Sequence, residues 1–112
     1  MGQIKKLQQL CHKNAILKGF YDGYNQKAQL HNSTLFRDRH PLELLCLIHS
    51  EISEAMEALR GSEKDNNLGE ELADTVIRIL DAAEYWGINL EDEILKKMEK
   101  NKKRSFKHGK NF

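Results

Sequence analysis

Apolar residues return every three or four positions along most of this chain, which is the spacing of amphipathic helices and not of strands. Ile4, Leu7, Leu10, Cys11, Ala15 and Leu17 predict a first helix over residues 3–19, with Gly19 as its stop. Pro41 suits the first turn of a second helix running to about Arg60, closed by Gly61. The stretch G-S-E-K-D-N-N is a turn. Asn67 followed by Glu70 has the form of a capping box, and it opens a third helix that ends at Tyr85 or Trp86, before Gly87. Asn89 caps a fourth, through about Arg104. Residues 20–40 mix aromatics, Gly23 and polar side chains, and read as a loop with at most a short helical turn. Hairpin signals and internal repeats are absent from the sequence. The expectation is a single all-α domain, a four-helix bundle-like unit. It divides into an N-terminal helix and loop (1–40), a helical core (41–104) and a basic tail (105–112).

The pattern breaks in two places. S-E-I-S-E at 50–54 and E-E-L-A-D at 70–74 put acids beside the apolar stripes of the second and third helices. At about 100° per residue, Glu51 falls inside the arc formed by Leu44, Leu47, Ile48, Ala55 and Leu59, with Ile52 at one side and Glu54 at the other edge. On the third helix Asp74, Arg78 and Asp81 lie within about 80° of Glu71, a narrow polar stripe on an otherwise apolar helix. One E-x-x-E is a common surface pattern. Two such pairs on neighbouring helices set carboxylates against one another away from water, which raises their pKa values and destabilises the fold unless a cation compensates. Arg78 can neutralise one charge. A hard divalent cation would offset the rest, and oxygen-only ligation selects Mg²⁺, with Mn²⁺ as a substitute, over zinc. Carboxylate-held Mg²⁺ leaves positions open for substrate phosphates, so phosphate chemistry is the expected task.

Composition narrows this further. The 112 residues suffice for one domain with a modest core. No apolar run reaches the ~18 residues of a membrane span, and M-G-Q-I-K-K has neither a signal core nor a myristoylation pattern, so a cytoplasmic protein is expected. Cys11 and Cys46 do not form a disulfide framework, and Cys46 with His49 is too sparse a pair for a metal site. The net charge of +1 hides an asymmetry: residues 96–110 carry eight lysines and arginines against one acid, while the remainder is acidic. Lys97, Asn101 and Arg104 recur at i, i+4 and i+7 and share one face of the fourth helix. Lys102, Lys103, Lys107, Lys110 and His108 read mainly as solvated surface. Such a segment suits phosphate, or a nucleic-acid backbone.

The acids at 51, 54, 71 and 74 resemble the E-x2-E…E-x2-D signature of the MazG-like nucleoside triphosphate pyrophosphohydrolases, of the all-α NTP pyrophosphatase superfamily. The likeness extends to S-E-I-S-E-A-M-E-A-L-R-G, E-E-L-A-D-T-V-I-R-I-L-D, G-I-N-L-E and K-M-E-K-N-K-K-R-S-F-K-H-G-K, covering residues 40–110 well and the first forty weakly. The resemblance implies hydrolysis of nucleoside triphosphates between the α- and β-phosphates. It implies Mg²⁺ at Glu51, Glu54, Glu71 and Asp74, phosphate contacts from Lys97, Asn101 and Arg104, and a homodimer or homotetramer with active sites near subunit contacts. Pairing of subunits would also enlarge a small core. Base recognition is then expected outside the acids, with Phe20, Tyr21, Tyr24 and Phe36 available either to stack on a nucleobase or to pack in the core. His40 reads equally as a helix cap or a site residue, Trp86 as core or interface, and Asp81 as a support for Arg78 or a metal-bound water, or as a structural ion pair. Two rival readings are a nucleic-acid-binding helical module that uses the basic segment, and an inactive scaffold. The acidic body gives the first of these no evident purpose, and neither membrane nor obligatory nucleic acid is expected.

Overall fold

In the computed structural model, which describes residues 2–28, 37–60 and 67–104, four helices follow one another: α1 (Gln3–Leu17), α2 (Pro41–Arg60), α3 (Leu68–Tyr85) and α4 (Leu90–Lys102). The expected all-α class holds. The one β-type pairing among the described residues is an isolated bridge between Tyr24 and Arg37. Gly61, Phe36 and the tail residues Lys107, His108 and Lys110 lie outside the described residues.

The helix ends follow from local chemistry. Asn67 accepts from the Glu70 backbone N–H (2.9 Å) and Asn89 from that of Asp92 (3.2 Å), each satisfying an amide the helix leaves free. Helices α1 and α3 stop alike. Phe20 N–H donates to Ala15 O and Gly19 N–H to Ile16 O; Ile88 N–H donates to Ala83 O and Gly87 N–H to Glu84 O. This double closure needs a left-handed residue, and Gly19 (φ 89°) and Gly87 (φ 71°) supply it. The closure at Gly19 ends α1 at Leu17, two residues short of the expected end; α3 ends at Tyr85 as expected, and α4 stops at Lys102, two residues before Arg104. The start of α1 has no side-chain cap of its own. Glu91 of α4 stands in, accepting from Lys5 N–H at 3.4 Å, and a Cβ at Gly2 would run into its carboxylate.

Helix α3 is the hub, with α1 and α2 both packed along it, while α4 leans mainly on α1 and buries none of its residues. The core is small and rich in alanine and tyrosine: Ala15, Tyr21, Leu44, Ala82 and Tyr85, flanked by Ile16, Ala28, Ile48 and Trp86. Tyr21 and Tyr85 stack at 4.8 Å. The Tyr85 hydroxyl accepts from Arg39 N–H (2.6 Å) and its carbonyl from Ala28 N–H (2.9 Å), which fastens the connection between α1 and α2 to the end of α3.

The buried face of α1 differs from the expected one. Leu7, Leu10 and Leu17 are exposed, and the side chains turned inward are Gln8, His12 and Ala15, at i, i+4 and i+7. Gln8 donates to Glu84 Oε1 (3.0 Å) and Ile88 O (2.7 Å). His12 places Nδ1 at 2.7 Å from Asp81 Oδ1 and Nε2 at 2.6 Å from Gln26 O. Hydrogen bonding to polar groups of α3 and the following turns, rather than leucine packing, decides which face of α1 is buried.

Candidate metal centre and pocket

Helix α2 turns Glu51 inward, 8% exposed, on the same face as buried Leu44 and Ala55. Across from it α3 presents Glu71 and Asp74 from its first two turns. One carboxylate oxygen from each of Glu51, Glu71 and Asp74 can lie within 4.8 Å of the others. Glu54 stands outside that group, exposed at the edge, but its charge still acts on Glu71. Three of the four expected acids therefore converge, and the fourth borders them.

The electrostatics are unbalanced. Arg78 Nε donates to Glu51 Oε1 at 2.7 Å, the one ion pair among the described residues that reaches into the acid group. Among the described residues Glu71 has no such partner, and its Oε2 is buried without a hydrogen bond. Loss of water pushes the Glu71 carboxyl above its usual range, and the charges of Glu54, Asp74, Glu51 and Glu70 push it further. An orphaned carboxylate oxygen facing two more acids, all hard oxygen donors, is the environment a divalent Mg²⁺- or Mn²⁺-type cation fits. Cys46 and His49 join no such group among the described residues.

A pocket of 390 Å³ opens beside the acids, within the range of small-molecule sites. Glu51, Asp74, Ile77, Arg78 and Asp81 form one wall; Cys11, Asn14, Ala15 and Lys18 of α1, with Phe20, form the other. Phe20 lies 5.9 Å below the Arg78 guanidinium, so this half-exposed ring faces the site, whereas Tyr21 is core. Tyr24 packs under Arg37 and Arg39 instead. His40 is a cap: its Nδ1 accepts from Leu42 N–H at 3.1 Å. Asp81 does not hold Arg78. It takes His12 and the Tyr21 hydroxyl (3.0 Å), and burial beside that carboxylate drives the Tyr21 phenol far above its ordinary value. The thiol of Cys11 is raised as well, by burial and by Asp81.

Lys97, Asn101 and Arg104 are all exposed and none lines the pocket. Among the described residues the cations at the pocket are Lys18 and Arg78. Lys18 and Asn14 are not flagged by sequence periodicity, because polar residues on a helix that also carries leucines read as its solvent face. The usable signal was the i, i+4, i+7 recurrence of Gln8, His12 and Ala15 opposite Asp81 and Glu84.

Fold and site together define an all-α domain that gathers carboxylates from two packed helices beside a ligand-sized pocket. A family model described as the MazG nucleotide pyrophosphohydrolase domain matches residues 39–108, more than half of the chain. The chain belongs to that family, whose members generally use divalent metals. Neither a curated protein nor a solved structure matches it. The match spans α2, α3 and α4 and leaves out α1, which supplies the facing wall of the pocket. No described helix is long and apolar enough to cross a membrane.

Proposed function

We propose that this chain hydrolyses nucleoside triphosphates between the α- and β-phosphates, adding water across the anhydride to give monophosphate and pyrophosphate, in a nucleotide-pool cleaning role. The observation that carries this reading is the orphaned Glu71 oxygen grouped with Glu51 and Asp74, two acids that themselves line a ligand-sized pocket. Glu51, Glu71 and Asp74 would hold Mg²⁺, or Mn²⁺ in its place, with Glu54 adding charge at the edge. When bound, such an ion polarises a phosphoryl oxygen and offsets the charge that develops at phosphorus.

The chain's own groups do the remainder. Lys18 supplies a positive charge for the polyphosphate, Asn14 offers an amide that both donates and accepts, and Phe20 offers an aromatic face to a base. Lys97, Asn101 and Arg104, exposed on α4, are a second set of phosphate groups that a bound or paired state would have to bring in. A homodimer suits the surface: α2 leaves Leu45, Ile52, Met56 and Leu59 exposed along one face and α3 leaves Leu72 and Val76 exposed.

The test is a panel of ribo- and deoxyribonucleoside triphosphates with Mg²⁺, with pyrophosphate and orthophosphate followed separately. Pyrophosphate release is expected. Orthophosphate alone would place cleavage at a different bond and remove this mechanism. No turnover, with steeply salt-dependent binding of nucleic acid that survives replacement of all four acids by amides, would favour the nucleic-acid module instead.

A further inference from the structure

Arg78 occupies an unusual position for a structural ion pair. Its Nε holds Glu51 at 2.7 Å, yet the side chain is about one-third exposed and lines the pocket. Its guanidinium also lies over Phe20, on the far side of the pocket mouth. Among the described residues no further hydrogen bond of this guanidinium is made, so the Nη edge is available to a ligand. The carboxylate it holds is one of the three that converge. Arg78 therefore lies between two sets of charges: the three acids, with which it makes the one ion pair among the described residues, and a pocket that also carries Lys18.

We propose that Arg78 is an internal counter-cation, which a divalent ion displaces from Glu51, and whose released guanidinium then binds an oxygen of the substrate's polyphosphate. The inference rests on the metal reading given above. Without metal, Arg78 lowers the repulsion at Glu51 and holds that carboxylate in place for ligation. With an ion bound, Glu51 would share its carboxylate charge with it, and the pair with Arg78 would weaken. The guanidinium needs to move little, since it already lines the pocket, and its planar fork matches phosphate oxygens. Metal and triphosphate then favour one another's binding through a single side chain: each removes the reason for Arg78 to remain on Glu51.

This predicts effects of opposite sign in one variant. In Arg78→Gln, Mn²⁺ alone should bind about five- to tenfold more tightly than to the parent, because a competing partly exposed ion pair is gone. A non-hydrolysable nucleoside triphosphate analogue, titrated at saturating Mn²⁺, should bind about tenfold more weakly. Calorimetry or the paramagnetic resonance of free Mn²⁺ reads the first, and calorimetry the second, with circular dichroism to establish that the variant is folded. A purely structural Arg78 would weaken both affinities together, and that result, or an unchanged Mn²⁺ affinity, overturns the proposal. Arg78→Lys keeps the charge and loses the fork. It should leave Mn²⁺ affinity near that of the parent while still weakening the analogue, and it serves as the deciding variant if Arg78→Gln does not fold. Glu71→Gln in the same Mn²⁺ titration separates the two levels. Metal binding by the parent that is lost in Glu71→Gln upholds the metal site, so an unchanged Arg78→Gln then refutes the displacement alone. Absence of metal binding in the parent refutes both.

Discussion

His12 offers the sharpest test of how the pocket is built. The ring is 3% exposed, 2.7 Å from one acceptor, the Asp81 carboxylate, and 2.6 Å from another, the Gln26 carbonyl. Each ring nitrogen thus faces an oxygen acceptor. His12→Ala removes a charge-assisted bond worth about 2 kcal/mol and a bond to a carbonyl worth about 1 kcal/mol, and leaves that carbonyl poorly satisfied. Asp81 keeps the Tyr21 hydroxyl, which limits the loss. The sum is about 3 kcal/mol, or a fall in Tm of about 12 °C for a domain of this size. Thermal and urea unfolding of His12→Ala, Asp81→Asn and the double variant supply a cycle whose coupling should be about 1–2 kcal/mol. The folded variant should also bind substrate more weakly, because His12 fixes the α1 wall that carries Asn14 and Lys18. A Tm within about 3 °C of the parent, or a coupling near zero, would refute the claim that this network docks α1.

Glu71→Gln should lower kcat by about two to three orders of magnitude at saturating Mg²⁺, and near-parent turnover would remove the acids from the mechanism. The same change should raise the Tm of the metal-free protein. The Glu71 carboxyl is raised in the fold, so the folded state binds more protons than the unfolded one above the ordinary carboxylate range. Stability therefore falls as pH rises through that region, and the variant should lose that part of the slope in a pH series of unfolding curves. Tyr21 works in the same direction at the alkaline end: its phenol is raised above the ordinary 10.0, so stability present below that pH is lost above it as the unfolded chain ionises. Tyr21→Phe should flatten that alkaline loss, measured as urea midpoints at successive pH values. Replacing Ile52 and Met56 by glutamate should convert the expected dimer to monomer in sedimentation velocity, and a parent that sediments as a monomer at all concentrations would refute the pairing.

The acid half of the site was legible because α2 and α3 are regular, well punctuated helices, on which a carboxylate inside an apolar arc stands out. Glu51, Glu71 and Asp74 follow from that periodicity, and the caps Asn67 and Asn89 from their residue type and position. The α1 half was not. Periodicity ranks Leu7 and Leu10 as inward, and only the partners far along the chain, Asp81 and Glu84 for His12 and Gln8, reverse the ranking. A helix whose buried face is held by hydrogen bonds carries no apolar signature of its own. Lys97, Asn101 and Arg104 were legible as a face, but a shared face on one helix does not say what lies opposite, and α4 leans mainly on α1.

The two walls of the pocket also differ in how far apart along the chain their partners lie. Glu51 and Arg78 are separated by 27 positions, His12 and Asp81 by 69. Closing the longer loop carries about 0.8 kcal/mol more chain entropy by the logarithmic rule. The α2–α3 hairpin should therefore assemble first, with its acids already juxtaposed, and α1 should dock onto it late. The reverse order applies to opening. Amide protons of α1 should exchange through a partial unfolding that spares α2 and α3, so that the substrate wall can detach and return while the three carboxylates stay together.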